Sequence, residues 1–239
     1  MPGSLRSEAV VLRSIRFGEA DRILHLYTPN RGRVGAIAKG VRRARSRFGG
    51  RLEPFFHVQL MLHEGRGELL TVTGAETVEP FARLRGRAAS LDAAARACEA
   101  VARVFESGEP NPAVFHLLLK ELALLDADSA GELGHANALA FRLKLLLAAG
   151  LAPQLAACAA CGTGDHLSGF SGAAGGVVCT ACEASAFALG QPAYGFLVEA
   201  LGRPLAEAPD ADARGLAQAE RAITETLAHH GHVRLRPVA

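Results

Sequence analysis

No stretch of these 239 residues is apolar for long enough to cross a bilayer. The most apolar run, Ala136 to Leu151, is interrupted by Arg142 and Lys144 and falls short of the roughly 20 residues that a spanning helix needs. The start, Met1-Pro2-Gly3-Ser4-Leu5-Arg6, lacks the apolar core of a secretory signal. The expectation is a cytoplasmic protein without membrane contact, in a compartment that keeps thiols reduced. The glycines show no three-residue period, which excludes a collagen-like chain, and an apolar content of 49% excludes disorder. No Gly-rich loop ending in Gly-Lys-Ser/Thr occurs, so the chain is no P-loop ATPase. No nucleophile–base pairing stands out either, and the chain reads as a non-enzyme. Internal repeats and low-complexity linkers are missing too. The length suits one large domain or two smaller ones, enough to bury roughly 70–75% of the unfolded surface.

A net charge of one sign is nearly absent as well, at +2, yet the charges are not evenly spread. Residues 1–85 carry 15 basic and 8 acidic side chains, and residues 86–239 carry 11 and 16. The first segment therefore has a surplus of +7 and the remainder a deficit of −5, a pattern of a polyanion-facing part joined to an acidic one. The asymmetry peaks where Arg31, Arg33, Lys39, Arg42, Arg43, Arg45, Arg47 and Arg51 occur without a single acid between them. A guanidinium fork matches phosphate oxygens in a bidentate way and is weakly hydrated, so the run reads as a phosphate-backbone surface. The alternative is a solvated loop whose arginines reflect genomic composition, since the chain has only three lysines.

Up to about residue 80 the chain reads as strands. Residues 22–28 and 33–39 flank the turn Pro29-Asn30-Arg31-Gly32, and residues 56–63 alternate with a period of two. Gly65-Arg66-Gly67 is a further turn before a strand at 69–73, and an opening strand near Ala9 to Ile15 makes five. Five short strands with a basic connector suit a small closed barrel, of which the OB-fold is the commonest that binds oligonucleotides; an SH3-like barrel is the alternative. After Pro80 the pattern turns helical. Ser90 opens a run to about Glu106, Asn111-Pro112 caps the next helix, and Ser129 with Glu132 has capping-box spacing before a run ending at Gly150. Tyr194 to Leu201 and a segment from Pro209-Asp210 to Gly231 complete the helices, with Gly231 as a left-handed cap and His229, His230 and His232 marking a helix end rather than a metal site. The class is α+β: a five-stranded OB-fold barrel over 1–80, then a helical domain over 81–239.

The five cysteines are the second informative feature. Cys158 and Cys161 form one Cys-x-x-Cys unit, Cys179 and Cys182 another, with 17 residues between. That spacing belongs to a four-cysteine zinc site, where each pair wraps its backbone around one metal. Gly162 suits the sharp turn after the first pair, and the intervening residues have too little apolar mass to fold alone. One structural Zn²⁺ in a module at about 155–186 is expected, its coordination closed to catalysis. Two disulfides, a redox-active pair and His166 in place of one cysteine are the other readings. Cys98, in an apolar helical run, reads as a small buried hydrophobe. Among aromatics near the arginines, Phe48, Phe55, Phe56 and Tyr27 could stack on bases. Phe56 falls on the buried alternation, so Phe48, in the loop, is the preferred candidate.

The residues Glu8-Ala9-Val10-Val11-Leu12-Arg13 and Gly18-Glu19-Ala20-Asp21-Arg22-Ile23 resemble the opening of the bacterial recombination mediator RecO family. The resemblance continues through Gly32-Arg33-Val34, Lys39-Gly40-Val41-Arg42-Arg43, Ser46, Phe48, Leu52-Glu53-Pro54-Phe55, Phe141-Arg142-Leu143-Lys144 and the cysteine quartet. It implies an N-terminal OB-fold, a helical domain and, in the cysteine-bearing branch, a zinc module. It further implies a nucleoid-associated protein of the RecFOR pathway. Such a protein binds single- and double-stranded DNA, anneals complementary strands and assists loading of RecA onto strands coated by SSB. The implied partners are DNA, RecR, the acidic C-terminal tail of SSB and, indirectly, RecA. Matching the family's DNA-binding surface are Arg33, Lys39, Arg42, Arg43 and Arg47; the acid-free run adds Arg31, Arg45 and Arg51. An RNA-binding or transcription-associated zinc-ribbon protein is the alternative for the same barrel and ribbon, and a dithiol oxidoreductase the alternative from the enzyme class.

Overall fold

Long alternation at the start of the chain builds its longest strand. The computed structural model describes residues 3–238 except 44, 49, 66, 106–108 and 132. Strand β1 spans Ser4–Phe17, followed by β2 (Asp21–Thr28), β3 (Gly32–Ala38), β4 (His57–His63) and β5 (Leu70–Glu79). Antiparallel pairing joins β1 to β2 and β4, β2 to β3, and β4 to β5, while a short parallel pairing joins β3 to β5. The ladder thereby closes into a barrel in the order β1-β2-β3-β5-β4. Its interior is filled by Ala9, Val11, Leu24, Leu26, Ala36, Ala38, Val58, Leu60, Leu62 and Val72, the inward half of each alternation. The turn between β2 and β3 is set by Gly32 at φ +60°, a conformation that costs glycine little. It is locked by the Thr28 hydroxyl, which donates to the Gly32 carbonyl at 3.1 Å and accepts from the Arg31 N–H at 3.2 Å.

Strand β5 runs six residues past the expected 69–73. Its second half pairs with β4 from Met61 to His57, but its side chains are mostly exposed, so no apolar alternation betrays it. The turn at Gly65-Arg66-Gly67 includes a position outside the described residues. Helix α1 is Ala88–Val104 and α2 is Pro112–Ala127. Ser90 is buried inside α1 rather than capping it, and Arg87 stands at the N-cap, its guanidinium donating to the Leu125 carbonyl at 2.8 Å. Glu106, the expected end of that helix, lies outside the described residues. Asn111 caps α2 as its sequence implies, accepting from the Val114 N–H at 3.2 Å.

These helices belong with the barrel. The chain divides into two compact units, Met1–Ser129 and Ala130–Ala239, so the change from strand to helix at Pro80 lies within the first unit. Phe115 of α2 meets His57 edge-on at 5.7 Å, and Arg33 of β3 donates to the Ala102 carbonyl of α1 at 3.1 Å. Asp126 fastens the 3-10 turn Arg83–Gly86 to α2, accepting from the Leu84 N–H at 2.9 Å and from Arg83 Nε at 3.1 Å. Burial alone would raise this carboxyl, but the two donors outweigh it and hold the pKa below the ordinary 3.8. A carboxyl with a lowered native pKa contributes stability above about pH 4 and loses it as pH falls through the native value. Asp126→Asn is therefore expected to cost about 1.5–3 kcal/mol at pH 7 in urea unfolding, with the difference from wild type shrinking toward pH 3.

The second unit holds α3 (His135–Ala148), β6 (Leu167–Ser171), β7 (Gly176–Cys179), β8 (Phe187–Ala188), α4 (Gln191–Gly202) and α5 (Ala213–His230). The three strands form one small sheet in the order β7-β6-β8. Gly134 occupies the N-cap of α3; Glu132, half of the expected capping box, lies outside the described residues. Asp212 rather than Asp210 caps α5, accepting from the Gly215 N–H at 2.6 Å. Gly231 is not a left-handed cap, for its φ is −94°, and His232 takes the positive φ instead, at 54°. Between α3 and α5, Glu220 accepts from the Val238 N–H at 2.6 Å and pairs with His135 at 3.2 Å and with the buried Arg142 at 3.6 Å.

Candidate nucleic-acid interface and four-cysteine centre

The connector between β3 and β4, residues 39–56, has few apolar side chains, and those few decide its course. Phe48 and Leu52 insert into the barrel interior, each 1% exposed, and burying such side chains is worth about 1.5–3 kcal/mol apiece. The polar residues between and before them are left outside. Backbone bonds hold the segment: Gly40 N–H to Asp21 Oδ1 at 2.8 Å, Arg42 N–H to Ala20 O at 2.9 Å, and Arg51 N–H to Phe48 O at 3.0 Å. At its far end, Phe55 N–H donates to Val11 O and Val11 N–H to Phe56 O, meeting β1 where its register shifts between Val11 and Arg13. The ion pair Arg22–Glu53, at 3.0 Å, ties the same segment to β2.

The eight basic residues of the acid-free run separate into two groups. Lys39, Arg42, Arg43, Arg45 and Arg47 are exposed on the connector. Arg42 rests on the Glu19 carbonyl at 3.1 Å, and Arg47 lies over the Phe48 ring at 4.9 Å. None of the five has an acidic partner among the described residues. The remaining three carry structural contacts: Arg31 pairs with Glu64, half-buried Arg33 holds the Ala102 carbonyl, and Arg51 donates to the Arg47 and Phe48 carbonyls at 3.1 and 3.3 Å. Positive charge also reaches the outer barrel wall. His25 sits opposite Arg13, and burial, Arg13 and Arg33, in that order, lower its pKa below the ordinary 6.5.

The aromatic assignments change. Phe48 is a core residue, so the ring expected to stack on bases offers no free face; a loop position hid its role as a barrel plug. Tyr27 is fully buried and Phe55 nearly so, while half-buried Phe56 packs against the core beneath the Arg85 guanidinium at 4.4 Å. Among the described residues, the one exposed phenylalanine or tyrosine ring is Phe17, at the end of β1. The expected opening strand ended near Ile15, so Phe17 lay outside it; its place beside the Gly18 turn was the available signal.

In the second unit, the hairpin β6–β7 and the loops on either side bring the two Cys-x-x-Cys units together. The four sulfurs lie within 4.8 Å of one another, with Cys161 and Cys179 at 3.7 Å. Sulfurs around a tetrahedral ion with bonds of about 2.3 Å stand about 3.8 Å apart, so the spacing suits one metal. The first pair turns through Gly162 at φ +80°, with the Cys158 carbonyl accepting from the Gly162 N–H at 2.8 Å; Cys182 N–H donates to Cys179 O at 2.9 Å. Backbone N–H groups of Cys179 and Cys161 draw the Cys158 thiol down to about 6, while hydrogen bonding with the sulfurs of Cys179 and Cys161 pushes Cys182 up to about 12. Four thiolates this close would repel one another, and a cation between them would relieve that repulsion. His166 is exposed and outside this cluster. Buried Cys98 has its thiol pushed up by desolvation, as befits a core residue. Among the described residues, Val178 and the half-buried Leu167, Ala174 and Ala186 are the hydrophobic side chains that pack with the cysteines. The hairpin turn is instead held to α5, where His230 Nε2 meets the Gly172 carbonyl at 2.7 Å. No helix among the described residues is long and apolar enough to cross a membrane.

The chain is similar to known proteins along nearly its whole length. Residues 1–81 match the family described as Recombination protein O N terminal, and residues 88–236 match Recombination protein O C terminal. A protein of Rubrobacter xylanophilus called DNA repair protein RecO is 44% identical over 94% of this chain and 91% of its own length. Proteins of the same name from a Nocardioides species and from Anaeromyxobacter are 41% and 36% identical, over 94% and 92% of this chain and 93% and 89% of their own. Two family matches that together span nearly the whole chain, with relatives this similar over this length, place it: the chain belongs to the RecO family.

Proposed function

We propose that this chain is a non-enzymatic DNA-binding recombination mediator acting in DNA repair. It binds single- and double-stranded DNA, anneals complementary strands and assists RecA loading onto SSB-coated strands. The observation that carries this is the connector: five exposed cations, free of acidic partners among the described residues, on a segment anchored by Phe48 and Leu52. Annealing needs no covalent step. Two polyanions must be brought together, and a fixed basic surface does so by neutralising phosphates and releasing their counterions. Five contacted phosphates give a slope of log affinity against log salt of roughly −3.5 on single strands. The five-stranded order and its closure through β3 and β5 support an OB-fold for the barrel. The cluster of Cys158, Cys161, Cys179 and Cys182 would hold one Zn²⁺, supplying a cross-link and no open coordination position. RecR and the SSB tail are the protein partners that family membership suggests, in a nucleoid-associated cytoplasmic protein. The test is annealing of SSB-coated complementary oligonucleotides without nucleotide. The protein is expected to accelerate it, with a rate that falls as salt rises; no acceleration overturns the mediator reading.

A further inference from the structure

The outer wall of β1, β2 and β3 carries an apolar row that ends in an exposed ring at the foot of the basic connector. Paired residues on neighbouring strands share a face. Leu24, Ala36 and Ala38 point into the barrel, so the residues alternating with them point out. On that outer face Ile15 pairs with Ile23 and Ile23 with Ile37, a row of three half-buried isoleucines. Two residues beyond Ile15, on the same face, Phe17 stands opposite Asp21 with 51% of its surface exposed. Every other Phe and both Tyr are at least partly buried.

The connector reaches this spot directly. Gly40 N–H donates to the carboxylate of Asp21, the residue paired with Phe17, and Arg42 bonds the turn that follows Phe17 through both its backbone and its guanidinium. Exposed Arg42 is thus tied to the turn that follows the ring, and exposed Lys39 and Arg43 flank the bonded Gly40 and Arg42 along the connector. Of the two acids in this turn, Asp21 is engaged by the connector backbone and Glu19 is exposed.

We propose that Phe17 is the base-stacking platform of this protein, taking an unstacked nucleobase of single-stranded DNA while Lys39 and Arg42 hold the flanking phosphates. A nucleobase suits the ring because it joins a π-face to a polyanionic backbone, and the wall offers an apolar row beside exposed cations. The platform discriminates by strandedness, since paired bases stack on one another and not on the protein. It would keep a bound strand splayed until its complement arrives. This rests on the DNA-binding reading above and adds to it a residue and a preference.

The chain contains no tryptophan, so Phe17→Trp places a single indole at the proposed site. Its fluorescence is expected to be quenched by an oligo-dT strand and not by a duplex of equal length. Phe17→Ala should weaken oligo-dT binding about 5- to 100-fold, with duplex affinity unchanged within about twofold and with wild-type circular dichroism and melting. Phe17→Trp should restore the affinity. Equal losses on both substrates, an unchanged oligo-dT affinity or an indole that oligo-dT leaves unquenched overturns the proposal. A shift in sedimentation by Phe17→Ala at unchanged DNA affinity also overturns it, and makes the wall a contact between copies of the chain. If wild-type protein binds neither DNA, the functional reading itself fails; if it binds and Phe17→Ala binds equally well, only the platform does.

Discussion

Metal removal is expected to lower the melting temperature of the second unit by roughly 10 °C or more. The sulfurs of Cys158, Cys161, Cys179 and Cys182 already converge, but the apolar mass packed around them is small: Val178, with half-buried Leu167, Ala174 and Ala186. A folded hairpin with so little to bury needs another source of stability. Structural zinc sites supply about 10–16 kcal/mol in isolated zinc-finger peptides. Here the hairpin also leans on α5 through the His230–Gly172 bond and through the Gly172 N–H, which donates to Glu225, so only part of that energy is at stake. A loss of even about 3 kcal/mol shifts the melting point of a unit of about 100 residues by roughly 12 °C or more. Calorimetry after chelation, with metal content measured on the same sample, checks this. Cys158→Ser should reproduce the chelated melting curve. A verified metal-free protein that melts as before would remove the structural role and leave the cluster as four free thiols.

Replacing Arg42, Arg43, Arg45 and Arg47 together by Ala is expected to weaken DNA binding by about two to three orders of magnitude at about 0.1 M salt. Each phosphate contact on a single strand contributes about 0.7 to the salt slope, so losing four removes about 2.8 log units between about 1 M and 0.1 M. The salt slope should flatten by a similar amount, and the loss should be the same for every sequence, since phosphate contacts carry no base information. The four side chains are exposed and carry no ion pair among the described residues, and losing the surface contacts of Arg42 with Glu19 and of Arg47 with Phe48 should leave the fold intact. Arg33 makes the contrast: its guanidinium holds the Ala102 carbonyl, and Arg33→Ala should cost stability as well as affinity. Titration of a fluorescent oligonucleotide across a salt series separates the cases. An unchanged affinity in the quadruple variant would make the connector a bystander.

Much of this protein is legible in local pattern. The five strands, the Asn111-Pro112 cap, the buried Cys98 and the paired Cys-x-x-Cys units each follow from rules that act over a few residues, such as alternation, capping and ligand spacing. The misreadings have the same origin. Ser90 looks like a cap until the helix is seen to begin two residues earlier, and Gly231 looks left-handed until the αL conformation falls on His232. Phe48 is the instructive case. A loop phenylalanine among arginines reads as a base-stacking ring because loops are normally exposed. In this barrel the loop is the lid of the core, and its ring is one of the largest fully buried side chains.

The sequence by itself determined the charge division that a net of +2 conceals, the α+β class of the fold and the two Cys-x-x-Cys units whose sulfurs cluster where a metal could bind. These depend on composition and on spacing along the chain, which folding does not alter. Only the tertiary structure decided which cations stand exposed on the connector and which, like Arg31 and Arg33, are held by other parts of the chain. It also decided that the exposed aromatic is Phe17 rather than Phe48. The reason is that exposure is a property of what packs over a side chain, and the residues that cover Phe48, or leave Phe17 open, come from strands distant in sequence.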